Sequence, residues 1–547
     1  MTIRIFSNTT LLIAALLTFS SAGPLLADRP DLVLMITVDQ LRGDMPLRFN
    51  GRFGPGGFRY LADNGTTYTN AHLEHMVTTT AAGHATLATG GNAPQHGIAS
   101  NEWFNIRTRQ PVYNTADSRY SLVGDSQEAG KGRSPLNLTS TTFGDELVIA
   151  TAGKSRVFSV SIKDRSAIIL GGHRGKAYWY SKLTGKFITS TYYHDEFPEW
   201  VNDWNEGNHA DGFRDQTWNL LAERETYVFR DQDDRWFERE KGQLGRIFPH
   251  PLNNEDNATY YSTLRYTPMG DQLTLAFVKA LVEAEKVGQG SHTDVLAVSF
   301  SVTDYIGHAF GPNSLEAEDN LLRLDLTLAE LFRFIDSKIG LDHTLVVLSA
   351  DHGISPAPEY VESLGYRAGR HNAPEMMRQI NQALKTRFGT EEELAIAYRT
   401  PGIYLDPDAI EALGLDIAAV ENVVAEEMMR RPGFSMALTR SDILSGRLPD
   451  TQAARLTSNS FHPERSGNIM LIQDFFWYLA SKPDEDAAMH GSPYNYDNHV
   501  PIMIAGPGIG HETINRRVAP RDIAPTISDY LGIEAPSGSV GTPLPRH

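Results

Sequence analysis

Residues 295–308 read VLAVSFSVTDYIGH. Val295–Phe300 is a short, unbroken apolar run rich in β-branched residues, the pattern of a strand buried on both faces. Asp304 and His308 follow at once, four residues apart, so a single helical turn after the strand would aim both side chains at one point. Similar runs recur at Leu32–Val38, Val157–Ile162, Leu345–Leu348, Ile469–Ile472 and Ile502–Ile504. Helical patterns lie between them. In Leu315–Ile339, Leu321, Leu324, Leu328, Leu331 and Ile335 return at steps of three and four. This alternation predicts an α/β sandwich of three layers, α/β/α, around a mostly parallel sheet.

The chain has 547 residues, more than one ordinary compact domain, so the core is expected to carry insertions. Residues 171–290 are rich in Trp, Tyr, Gly and charge. Residues 358–465 hold amphipathic helices, a strand candidate at Gly402–Leu405 and many prolines. Both follow strands that end in candidate chemistry, and they are expected to cap the sheet's carboxyl edge.

Residues 1–27 have one arginine, an apolar run Leu11–Phe19, and small residues near Ala22 and Ala27, the three-part form of a secretory signal peptide. The run is too short to anchor the chain across a bilayer. The catalytic domain is therefore expected over 28–547, periplasmic or secreted, as a monomer with no stable membrane anchor after cleavage. There is no cysteine, which excludes disulfides, thiolate metal sites and cysteine nucleophiles. A metal would have to be held by Asp, Glu and His. The formal charge of −18 argues against a nucleic-acid partner, which demands clustered Lys and Arg. An anion site in such a chain must make its own positive field, and metal ions do so.

In an open α/β sheet the ligand site lies beyond the carboxyl ends of the strands. There Leu32–Val38 delivers Asp39, Val295–Phe300 delivers Asp304 and His308, and Leu345–Leu348 delivers Asp351 and His352. His490 comes shortly before Ile502–Ile504. A lone Asp after a strand is more often a turn or cap. Three Asp and three His, each beside an apolar run, are enough for two zinc-type ions, which could clamp both oxygens of an in-line displacement.

Two further pieces need positive and nucleophilic chemistry. Thr78-Thr79-Thr80 precedes Ala81–Gly83, which reads as a helix start, where the macrodipole favours an alkoxide or a bound phosphate. Taken alone, these threonines would be helix caps. Lys163 and Arg165 stand two apart at a strand end; on an extended chain both point to one side and could meet one anion.

In ITVDQLRGD, TTTAAGHATLATG, HGIASNEW, SIKDR, SVTDYIGHAFGP, LSADHG, HGSPYNYDNHVPIMIAGPG and RDIAPTISDYLGI, the sequence resembles the alkaline phosphatase superfamily, in its phosphate-irrepressible branch of threonine-nucleophile enzymes. The likeness runs over nearly the whole mature chain. It implies two Zn2+ ions, one held by Asp39, Thr80, Asp351 and His352, the other by Asp304, His308 and His490. It also implies Thr80 as the nucleophile that forms a phosphothreonine, with Asn101, Lys163 and Arg165 on the phosphoryl group of a small-molecule phosphate ester. The choice of Thr80 within its run, and the inclusion of Asn101, come from the resemblance alone. Ala81 stands where some relatives have cysteine.

A phosphodiesterase or nucleotide pyrophosphatase on the same metals is the alternative enzyme; the Lys163 and Arg165 pair speaks against it, since a diester puts a substituent where one anionic oxygen would be. An arylsulfatase lacks its usual cysteine here. A metal-stabilised binding protein would have no need of the threonine run.

Overall fold

The structure, a computed structural model, describes residues 29–125, 131–480 and 485–545; the signal peptide expected over 1–27 lies outside them. Strand Leu32–Val38 is at the centre, with all seven residues buried. It pairs in parallel with Asp294–Phe300 on one side and Thr344–Ser349 on the other. The sheet has ten strands. Beyond Asp294–Phe300 come Val157–Ser161, Lys176–Tyr180, Phe187–Ser190 and Leu122–Val123; beyond Thr344–Ser349 come His499–Ala505, Thr66–His72 and Glu512–Ile514. All run one way except His499–Ala505 and Phe187–Ser190.

Alternation along the central strand decides the layering. Leu32, Leu34, Ile36 and Val38 enter one core with Leu321, Leu324, Leu328 and Leu331 of helix Leu315–Lys338. Val33 and Met35 enter the other, with residues of helices Thr80–Thr89, Phe143–Ala150 and Ile523–Leu531. The result is the α/β/α sandwich expected from the sequence. Burying each large aliphatic side chain contributes about 1.5–3 kcal/mol, and truncating one to alanine costs about 2–5 kcal/mol. Helix Leu315–Lys338 is capped by its own sequence: Ser314 Oγ accepts from Ala317 N–H at 3.1 Å, Glu316 and Glu318 stand in the first turn, and Lys338 in the last.

Two readings change. Ile469–Gln473 is not a strand of the main sheet. It forms a separate antiparallel sheet with Ala395–Arg399, Gly402–Leu405 and Phe434–Thr439, backed by helices Ala373–Phe388 and Ile417–Met429 over their own core. An apolar run fits either sheet; its partners lie in the preceding hundred residues, which periodicity does not reveal. Within 171–290, Lys176–Tyr180 and Phe187–Ser190 extend the main sheet itself.

Sheet direction also explains how a residue preceding its strand reaches the site. His499–Ala505 runs antiparallel to Thr344–Ser349, so its start lies at the edge where the parallel strands end. That brings His490 beside residues that follow strands.

Candidate active site

At that edge the structure gathers all six predicted Asp and His residues. Asp39 lies immediately beyond Leu32–Val38. Asp304 and His308 share one turn of helix Val302–Phe310, and Asp351 and His352 follow Thr344–Ser349. Carboxylate and imidazole atoms of Asp39, Asp351 and His352 lie within 4.8 Å of one another, as do those of Asp304, His352 and His490. His308 Nε2 is 3.3 Å from Asp304 Oδ1 and 3.2 Å from His490 Nε2.

The three imidazoles are oriented alike. Each Nδ1 lies against a backbone carbonyl: His308 on Ala488 O at 2.9 Å, His352 on Gly353 O at 2.9 Å, His490 on Thr78 O at 2.7 Å. A carbonyl only accepts, so each Nδ1 carries a proton and Nε2 is the atom each ring turns toward the cluster. His352 Nε2 and Asp39 Oδ1 are buried without a hydrogen-bond partner, and Asp351 Oδ2 has His84 Nδ1 at 3.1 Å. Orphaned lone pairs of this kind, converging in one place, are what a cation would satisfy. The residues therefore fit a metal site.

Lys163 stands at the centre of the cluster. Its Nζ is 2.7 Å from Asp39 Oδ2 and also bonds Asp304 Oδ2. Burial, reinforced by the Asp351 charge, raises the Asp39 carboxyl well above its ordinary range. Burial pushes Asp304 the same way, but Lys163 and His308 outweigh it and hold Asp304 well below. Burial lowers His490. His308 is held at about 8, because the Asp304 charge overcomes burial.

Thr80 opens helix Thr80–Thr89, whose small residues let it lie on the Asp351 backbone. A Cβ on Gly83 would stand 2.0 Å from Asp351 O, so only glycine fits. Thr80 Oγ1 is 3.4 Å from Lys163 Nζ and 3.3 Å from Arg165 Nη2. Thr78 Oγ1 instead donates to Ser492 O at 3.0 Å. Asn101 Oδ1 accepts from Ala81 N–H at 2.9 Å, which places the Asn101 amide at the helix start. The extended geometry expected for Lys163 and Arg165 holds only for Lys163, since Asp164 begins helix Asp164–Gly171. Both cations still reach Thr80, one from the strand exit and one from the first turn.

Residues 33–493 match the family model for type I phosphodiesterase / nucleotide pyrophosphatase. The chain belongs to that family, within the alkaline phosphatase superfamily. Among family relatives, alkaline phosphatase PhoV of Synechococcus elongatus is 36% identical over 95% of this chain and 93% of its own. Alkaline phosphatase PafA of Elizabethkingia meningoseptica is 35% identical over 94% of each chain. A protein of Myroides odoratus named calcium-transporting ATPase is 34% identical over 94% of each. The crystal structure of wild-type PafA superposes with a TM-score of 0.89 at 34% identity, covering 94% of this chain and 98% of PafA. A PafA variant with the same TM-score has one threonine changed to serine, and an asparagine, a lysine and an arginine changed to alanine. Those four residues follow one another at the intervals that separate Thr80, Asn101, Lys163 and Arg165.

Sequence reasoning missed three residues of this site. Gln40 Nε2 donates to Asp304 Oδ1 at 2.8 Å, and its backbone N–H donates to Asp351 Oδ1 at 3.1 Å. His84 Nδ1 lies 2.8 Å from Thr80 O and 3.1 Å from Asp351 Oδ2. Tyr305 places its ring 5.1 Å from Lys163 Nζ. Each is adjacent to, or one helical turn from, a residue that was singled out. That adjacency was the available signal.

Proposed function

We propose that this protein is an alkaline phosphatase that hydrolyses phosphate monoesters, with Thr80 as nucleophile and a phosphothreonine intermediate. The observation that carries the reading is the Thr80 hydroxyl, at a helix start, within 3.4 Å of both Lys163 and Arg165 and beside the imidazole and carboxylate cluster. The relatives named alkaline phosphatase support it over nearly the full chain.

Two divalent ions, zinc by the donor set, would be held by Asp39, Thr80, Asp351 and His352 and by Asp304, His308 and His490. When bound, they would supply the charge that favours deprotonation of the threonine and departure of the alkoxide. The residues of the chain do the rest. Thr80 Oγ forms a bond to phosphorus as the bond to the leaving oxygen breaks, and water later attacks the phosphothreonine to release phosphate. Asn101 Nδ2, Arg165 and Lys163 face the non-bridging oxygens at the positive end of the helix, where phosphoryl transfer most needs fixed donors. Residues 1–27 support a secreted or periplasmic location, and among the described residues no helix is long and apolar enough to cross a membrane.

The test is turnover of p-nitrophenyl phosphate by the purified protein, compared with bis-p-nitrophenyl phosphate and p-nitrophenyl sulfate, with and without a chelator. Preference for the diester would hand the site to a phosphodiesterase.

A further inference from the structure

A cavity of about 210 Å³ opens behind Lys163 and Arg165, with Arg265, Tyr305 and Lys182 in its wall. It shares two cations with the proposed phosphoryl site and extends away from it. Tyr305 directly follows Asp304, so the cavity borders the carboxylates expected to hold metal.

The charges of this wall are unevenly compensated. Asp164, one of its two carboxylates, is bound by Arg133 at 2.7 Å, and the other, Asp125, accepts from Ser181 Oγ at 2.6 Å. Arg265 has no carboxylate partner among the described residues. Its donors go to Ser262 O, Ser262 Oγ and Tyr305 Oη, and its guanidinium lies 4.8 Å from the Tyr305 ring. Arg165 Nε is buried without a hydrogen-bond partner. Lys182 is exposed at the rim and forms no ion pair among the described residues. A half-buried guanidinium held only by neutral groups, in a chain of charge −18, is a site awaiting an anion.

We infer that this cavity is a second anion subsite, and that the enzyme favours phosphate monoesters whose leaving group carries its own carboxylate or phosphate. The inference rests on the phosphatase reading. Arg265 engages the second anion and Lys182 guides it from the rim, while Tyr305 separates Arg265 from Lys163 and keeps the two anions apart.

The experiment compares 2-phosphoglycolate with its neutral amide, and propane-1,3-diol bisphosphate with the monophosphate, in the parent and in Arg265→Gln. The parent should prefer the doubly functional member of each pair. In Arg265→Gln that preference, read as the ratio of kcat/KM values, should fall about 10- to 100-fold, the size of a lost hydrogen bond to a charged group. Arg265→Lys should restore part of it. Loss in one pair alone identifies which anion, carboxylate or phosphate, the subsite takes. An unchanged ratio, with both members slowed alike, would mean that Arg265 merely steadies Tyr305, and would overturn the inference. So would a parent with no preference in either pair. If Arg265→Gln does not fold, Lys182→Gln on the exposed rim should lower the ratio about 3-fold by loss of surface attraction, and an unchanged ratio there overturns it equally. A parent inactive on p-nitrophenyl phosphate would defeat the phosphatase reading itself, a separate failure.

Discussion

The Nε2 atoms of His308 and His490 face each other at 3.2 Å, while each ring spends its Nδ1 proton on a backbone carbonyl. Two lone pairs so placed repel unless a cation stands between them or one ring takes a second proton. Metal should therefore stabilise the fold as well as support turnover. Adding zinc to chelator-treated protein is expected to raise the unfolding temperature by several degrees and to restore activity better than magnesium. His490→Ala should lose most of that rise, along with about 100-fold or more in kcat/KM. Full turnover in a metal-free preparation would sink the two-ion reading.

Thr80 should carry the phosphoryl group. Its hydroxyl faces the two cations, whereas that of Thr78 is already bound to Ser492 O. Acid quenching during turnover, followed by mass spectrometry, should place phosphate on Thr80. Thr80→Ala is expected to lose about 1000-fold or more in kcat, and Thr79→Ala far less. The reverse order would move the nucleophile one residue back.

Gln40 is held at φ 71, a left-handed conformation that costs a non-glycine residue about 1–3 kcal/mol. The strained turn lets one residue bind carboxylates of both halves of the site, Asp351 through its backbone and Asp304 through its amide. Gly307 makes room, since a Cβ there would stand 1.9 Å from Gln40 Oε1. Gln40→Gly keeps the backbone conformation and removes only the amide. It should weaken metal affinity about 10- to 100-fold with the unfolding temperature of the metal-free protein little changed. Unaltered zinc affinity would show that Asp304 needs no such support.

The main sheet was legible because buried parallel strands leave unbroken apolar runs, as at Leu32–Val38, and because strand exits concentrate polar groups, as at Asp39 and Asp351. His308 was legible from its spacing to Asp304. Ile469–Gln473 was not assigned to the right sheet, because a run records burial and not its partner. Gln40 escaped notice because its role lies in a backbone angle and in a bond across 264 residues, and neither leaves a periodic trace.

Asp271 gives the fold a pH dependence of its own. It lies in helix Met269–Glu285, buried, with Oδ1 accepting from Val302 N–H at 3.3 Å and Oδ2 unpartnered. Burial pushes its carboxyl up to about 7 from the ordinary 3.8. Between those values the native state holds a proton that the unfolded chain releases, so stability falls as pH rises through this window and is flat above it. The full penalty is at most about 4 kcal/mol. Asp271→Asn should unfold at a higher temperature than the parent at about pH 8.5, with the advantage shrinking toward about pH 4. Thermal melts across that range check it; an advantage that grew on acidification would contradict the assignment.

Specificity should reside in Arg165 more cleanly than in Lys163. Lys163 also neutralises Asp39 and Asp304, so removing it disturbs the carboxylates expected to hold metal. Arg165 reaches Thr80 Oγ1 at 3.3 Å from the first turn of its own helix and pairs with neither of them at that distance. A monoester dianion offers it a fully charged oxygen, and a diester puts a substituent in that space. Losing such a contact in a partly desolvated site costs about 2–4 kcal/mol of transition-state stabilisation, or roughly 30- to 1000-fold in rate. Arg165→Ala should therefore lower kcat/KM for p-nitrophenyl phosphate by that factor and for bis-p-nitrophenyl phosphate by much less, narrowing the preference. Lys163→Ala should do the same while also weakening zinc binding, which Arg165→Ala should leave intact. Equal losses on monoester and diester in Arg165→Ala would show that this guanidinium stabilises the reaction without selecting the substrate.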